Sequence, residues 1–266
     1  MTEAADPPLV RGWRWRLAGP PGPPLELALA VGEAARSCLI KTAKRLIGSP
    51  LLPNCLHGGG SGAPHGHAFY RPEDLDGDGR IDHLLVFAAG GIDGDGLALL
   101  AGCREALFLG GRGAWALAPR WMGETPAERC YSPARTWRSV TPYCPPWRIE
   151  HSGRDRDPAM QVRREAALLG LPAIIAVEEL PPALDRAFQV ERRKGERPPN
   201  KTFAFLRLRF ADPVAGPLAF GFGCHFGLGS FVAAEPVIEI RARAARQNCR
   251  PPQTDPSEAS CPLPQP

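Results

Sequence analysis

Apolar and charged positions alternate along 9–17, LVRGWRWRL, which places Trp13 and Trp15 on one face of an extended segment and Arg14 and Arg16 on the other. A period of two predicts a strand. From Leu25 to Ile47 the period lengthens, and Leu27, Val31, Ala34, Ala35, Cys38 and Leu39 fall on one helical stripe. Lys41, Lys44 and Arg45 close this helix, where cations offset its dipole; the functional alternative is a basic helix end beside a phosphate. Residues 48–64 read as a Gly- and Pro-rich loop. A short strand at 66–70 follows, and Pro72 is expected to end it because proline has no N–H for a ladder. An acidic turn leads to a strand at 82–88, a helix over 96–109 and a strand at 114–121.

That order, β-α-β-β-α-β, is the ferredoxin-like split unit, a topology also used by RNA-recognition modules. Topology alone does not fix function. The second half repeats the alternation. A strand begins near Arg135, a helix fits 158–169 with Gly170 behind it, and strands fit 171–180 and 201–213. In the last of these Leu206, Leu208 and Phe210 alternate with Arg207 and Arg209. GPLAFGFGCHFGLGSF (216–231) is glycine-rich and aromatic, and 250–266 is a polar, Pro-rich tail expected to be disordered. The expected division is 1–128, 129–249 and the tail 250–266.

Composition narrows the class. A hydrophobic fraction of 44% in 266 residues is enough for a packed core. No run of eighteen apolar residues marks a membrane helix, and the N-terminus lacks the apolar core of a signal peptide. Eight cysteines occur without a C-x-x-C pair, which argues against a zinc module and a disulfide framework. A cytoplasmic protein with no membrane partner and no cofactor is the expectation.

Four features carry candidate chemistry. His65 and His67 flank Gly66, so an extended backbone points both the same way. Imidazole exchanges protons near neutral pH and suits acid–base work, against the plainer reading of a structural histidine. Asp74, Asp76 and Asp78 match the front of an EF-hand loop, but its twelfth position is Leu85 rather than a bidentate glutamate. A structural turn without metal is therefore expected. The stretch 186–209 carries eight cations, Arg192, Arg193, Lys194 and Lys201 among them; it is either a solvated hairpin or a phosphate-backbone contact. Gly221, Gly223, Gly227 and Gly229 allow close backbone approach to a ligand, with His225 between them. The phenylalanines around them read as core before they read as base-stacking platforms.

GHAFYRPEDLDGDGRIDHLLVFAAGG, then RTWRSVTPY, then FADPVAGPLAFGFGCHFGLGSF together resemble the repeat-processing part of CRISPR-associated RAMP proteins. The resemblance spans roughly 25–232 and is strongest to the processing module of the type I-G (formerly I-U) fused backbone/processing subunit. The first helix begins near Leu25, so no counterpart of the fused backbone module is expected here. The resemblance implies an α+β protein of two tandem ferredoxin-like, RRM-like folds with a C-terminal glycine-rich loop. It also implies an endoribonuclease that cleaves precursor crRNA by metal-independent 2′-OH attack and leaves a 2′,3′-cyclic phosphate. Such an enzyme stays on the crRNA 3′ end beside other type I effector-complex subunits. His67 then takes the acid–base role, with His65 as its alternate. Arg192, Arg193, Lys194, Lys201, Gly221, Gly223, His225, Gly227 and Gly229 contact RNA. A non-catalytic crRNA-binding subunit is the second reading, and a metal-dependent hydrolase using the aspartates the third.

Overall fold

Strand β1 (Gly12–Ala18) is the centre of the first sheet, flanked by β3 (His83–Phe87) and β5 (Ala114–Gly123). The computed structural model describes residues 9–57, 67–148, 157–181, 187–192 and 197–234. With β2 (Phe69–Glu73) and the two-residue β4 (Leu107–Phe108) at its edges, the sheet runs β2-β3-β1-β5-β4, all antiparallel. Trp13, Trp15, Leu17, Leu84 and Tyr70 bury one face against α1 (Ala28–Ile47) and α3 (Gly94–Gly102). The helical stripe of α1 is as expected: Val31, Ala35, Cys38 and Leu39 are all buried. Asp93 caps α3 by accepting the Gly96 N–H at 2.7 Å.

The second sheet runs β7-β8-β6-β10-β9, again antiparallel. It comprises β6 (Ala134–Ser139), β7 (Ile174–Leu180), β8 (Phe205–Val214), β9 (Leu218–Ala219) and β10 (Ser230–Ala233). Helix α4 (Pro158–Leu168) joins β6 to β7, with Pro158 in its first turn and the Asp157 carboxylate accepting the Met160 N–H at 2.7 Å. Leaving out the short edge strands β4 and β9, both sheets have one order: second, third, first, fourth. The protein is thus α+β, with two ferredoxin-like sheets. In the second, the stretch where a second helix would stand is taken by β9, the glycine-rich loop and a 3-10 turn at Cys224–Phe226.

Several expectations need correction. Pro72 does not end β2; the strand runs through it to Glu73 and pairs Pro72 with Leu84. β2 is an edge strand, where proline is tolerated because no ladder donor is needed there. The helix expected to reach Leu109 stops at Gly102, because Cys103 turns extended and Leu107–Phe108 leaves to pair with Ala114–Trp115. Arg14, expected on a polar face, is 3% exposed.

The buried Arg14 belongs to a polar network on the face of the first sheet opposite the helices. Its guanidinium donates to both Glu73 oxygens, at 2.7 and 3.2 Å, and to Glu128. The Tyr131 hydroxyl also donates to Glu73. One residue pair away on β2, Arg71 donates to the backbone carbonyls of Leu218 and Phe231, at 2.8 and 2.7 Å. The edge of the first sheet is thereby bonded to the β9–β10 edge of the second, with buried charge-assisted bonds.

Candidate functional site

The edge strand β2 meets the glycine-rich loop of the second sheet, and this junction brings together residues far apart in the chain. Phe69 opens β2, and His67 stands two residues earlier. The imidazole of His225, from the 3-10 turn, lies between them. Its ring centroid is 4.2 Å from that of His67 and 4.2 Å from that of Phe69, with interplanar angles of 21° and 23°. All three residues are half-buried, and Nδ1 of the His225 ring is buried.

Glycine makes this approach possible. Gly32 of α1 sits under the turn so closely that a Cβ there would stand 2.4 Å from the Phe226 carbonyl oxygen. At Gly227, with φ +100°, a Cβ would lie 2.5 Å from Pro72 Cδ. The loop therefore packs against α1 and β2, and Leu29 and Leu228 are buried together there. Phe226 stacks near Tyr70, centroids 6.2 Å apart, and Arg192 lies over the Phe226 ring at 4.7 Å. The Arg192 Nε donates to Glu33 of α1 at 2.7 Å.

The backbone of the loop is used differently from the expected phosphate cradle. The Gly221 N–H donates to Glu165, the Gly227 N–H to the Cys224 carbonyl and the Gly229 N–H to the Pro142 carbonyl. These three glycines are buried, so their N–H groups are taken by the protein itself rather than held open for a ligand. Gly223 is half-buried, with φ +74°.

Glu165 anchors the loop from α4. Its carboxyl accepts the Gly221 N–H and the Tyr143 hydroxyl, each at 2.8 Å. Burial pushes this carboxyl from about 4.5 up to about 7, against the opposing pull of those two bonds. Because the folded value is the higher one, the stabilising contribution is complete below pH 4.5 and is lost as pH rises through 7. Glu165→Gln should therefore flatten the pH dependence of stability between about pH 4.5 and 7, worth up to roughly 3 kcal/mol. Denaturant midpoints of both proteins at pH 5 and pH 8 check this; parallel curves would contradict it.

The structure distributes the expected residues unevenly. It brings His67 and His225 together, whereas Arg192 lies over Phe226, on the Tyr70 side of β2, and is paired with Glu33 of α1. Lys201 is exposed on the segment leading into β8. His65, Arg193, Lys194 and the tail 250–266 lie outside the described residues. Asp74 accepts the N–H groups of Gly77 and Gly79, Asp78 that of Arg80 and Asp82 that of Leu75. Those carboxylates shape the turn, and Leu85 is fully buried in the sheet. The three oxygens of Asp74, Asp76 and Asp78 also lie within 4.8 Å of one another. His83 sits with Nδ1 2.9 Å from Asp82 Oδ1, away from the histidine stack on the opposite end of β3.

Phe69, Glu33 and Glu165 do not stand out in the sequence. Phe69 has a usable signal, since it lies two residues from His67 and shares its face in an extended chain. Glu33 and Glu165 look like ordinary helix carboxylates until the loop is folded onto them. His57 has no sequence signal of this kind. Its helix, α2 (Asn54–His57), is held to β2 by the Ala68 N–H on Cys55 and the Tyr70 hydroxyl on Leu56, each at 2.8 Å. Arg36 Nη2 donates to the His57 carbonyl at 3.4 Å.

No family model and no curated protein matches the chain. Solved structures that resemble it include two proteins. One is a RAMP protein binding different RNA substrates, 12% identical, with a TM-score of 0.37, over 85% of this chain and 100% of that one. The other is a Cas6 product complex, 16% identical, with a TM-score of 0.40, over 84% of this chain and 99% of that one. The ferredoxin-like order is read from the strand pairing itself. Among the described residues no helix is long and apolar enough to cross a membrane.

Proposed function

We propose that this chain binds CRISPR repeat RNA and cleaves it within the repeat as a metal-independent endoribonuclease. The observation that carries the reading is the His67–His225 stack at the junction of the two sheets. Attack of a ribose 2′-OH on the adjacent phosphate needs a base for the 2′-OH and an acid for the departing 5′-oxygen. Two imidazoles side by side supply both when one is neutral and takes the 2′-OH proton while the other is protonated and gives its proton to the 5′-oxygen. The HFGLG string supplies His225 and the GHAFYRP string supplies His67 and Phe69, so two strings that suggest the family meet at this junction. His67 and His225 are the proposed acid–base pair, with His65 as alternate; Arg192, over Phe226 and paired with Glu33, is a proposed RNA contact.

The proposed product ends in a 2′,3′-cyclic phosphate and remains bound at the crRNA 3′ end in a type I effector complex of the I-G kind, in the cytoplasm. The proposed domain division falls near residue 128. The alternative is a crRNA-binding subunit without activity. Incubating the protein with a repeat transcript in EDTA separates the readings: cleavage supports the enzyme, binding without cleavage supports the subunit, and cleavage only after adding back metal supports neither.

Phosphate contacts should dominate affinity, so binding should weaken steeply as salt rises. Reversing Arg192, Arg193 and Lys194 to glutamate should weaken binding to any RNA and make the salt slope shallower by roughly one for each phosphate no longer neutralised. Affinity and slope unchanged in a salt titration would remove this segment from the interface.

A further inference from the structure

Trp147 lies on the strand-to-helix connection of the second sheet, outside the histidine junction. Its backbone is clamped from two sides. Gln161 of α4, fully buried, accepts the Trp147 N–H at 3.0 Å and donates to the Trp147 carbonyl at 2.9 Å. Asn200 donates to that same carbonyl at 2.7 Å and to the Pro145 carbonyl at 3.0 Å. Two side-chain amides thus fix the backbone of a residue whose indole is left half-buried. Over that indole lies the Arg164 guanidinium, 4.3 Å from the ring centroid, on an exposed position of α4.

Cations outnumber acids on the described segments around the indole. The clamp joins three segments, 145–148, the start of α4 and 197–203, which bear the exposed cations Arg148, Arg164, Arg197 and Lys201. Among the described residues of these segments the acids are Asp157, the exposed cap of α4, and Glu165, which is buried. A fixed aromatic ring with a guanidinium on it, on segments that carry further cations, matches what single-stranded nucleic acid needs: a surface for a base to stack on and charges for its phosphates. Paired bases in a duplex are already stacked and cannot use it.

We infer that Trp147 and Arg164, with Arg148 and Lys201 beside them, form a second RNA contact that takes an unpaired base and its phosphates. This rests on the RNA-binding reading and adds a place for single-stranded RNA outside the hairpin. It assigns the basic residue Lys201 to this contact rather than to the histidine junction.

The test compares two labelled probes, a short oligouridine and a repeat hairpin without single-stranded ends, by fluorescence anisotropy. Trp147→Leu and, separately, Arg164→Gln should weaken oligouridine binding roughly five- to hundredfold and change hairpin binding by less than about twofold. Arg164 is exposed, so its substitution tests the contact even where Trp147→Leu disturbs the fold. Wild-type protein that binds the hairpin, with variants that bind oligouridine equally well, would overturn the contact and leave the RNA-binding reading standing. Wild-type protein that binds neither probe would overturn both. Trp147-dependent binding to anionic vesicles with no effect on oligouridine would also overturn it.

Discussion

Alanine at His67 or at His225 is expected to slow repeat cleavage by roughly 10²- to 10⁴-fold, the usual worth of one positioned acid–base group. RNA affinity should hardly change, because one imidazole is a small part of an interface dominated by phosphate contacts. The ring stack offers a sharper control. His225→Phe keeps a flat aromatic ring between His67 and Phe69 but cannot carry a proton. It should cleave as slowly as His225→Ala. Wild-type cleavage by His225→Phe would reduce His225 to a packing residue and leave His67 to act with another partner. Wild-type cleavage by His67→Ala, with loss in His65→Ala, would keep the proposed reaction and move its centre to the alternate histidine.

Methionine at Arg14 should cost about 3–5 kcal/mol of stability, because Glu73 would be left buried without its counter-charge. Glu73 is 4% exposed, and it accepts from Arg14 and from Tyr131. Removing both charges is expected to cost less than removing one. Arg14→Met with Glu73→Gln should recover part of the loss, since the amide keeps an acceptor for Tyr131 and needs no counter-ion. Denaturant unfolding of the single and double variants measures this. A double variant no more stable than Arg14→Met alone would show that the unpaired carboxylate is not the cause. Destabilising the network should also loosen the β2 edge that presents Phe69 and His67, because Arg71 and Glu73 alternate with Pro72 on that strand.

Much of the fold is legible in local pattern. The alternation of Leu206, Arg207, Leu208, Arg209 and Phe210 becomes buried and outward positions of β8 in turn, and the stripe of α1 becomes its core face. What local pattern misses depends on partners distant in sequence. Arg14 reads as solvated because the carboxylates that neutralise it, Glu73 and Glu128, arrive with β2 and with the link between the sheets. Pro72 reads as a strand breaker because nothing nearby says that β2 will lie at an edge. The glycine-rich loop signals close approach, and close approach is what occurs, but to α1, β2 and Glu165 rather than to a phosphate. His67 is visible as a candidate from its setting in an extended segment. Its partner is not, since only the packing of the loop on β2 sets His225 against it.

The proposed chemistry is attack by the RNA's own 2′-oxygen, assisted by the two stacked histidines. The direct measurement uses a repeat RNA with hydrogen in place of the 2′-OH next to the scissile phosphate, in EDTA, beside the unmodified RNA. The account predicts that the unmodified RNA is cut to a 2′,3′-cyclic phosphate and a 5′-OH, while the deoxy substrate binds with near-equal affinity and is not cut. Cleavage of the deoxy substrate at a comparable rate would contradict it.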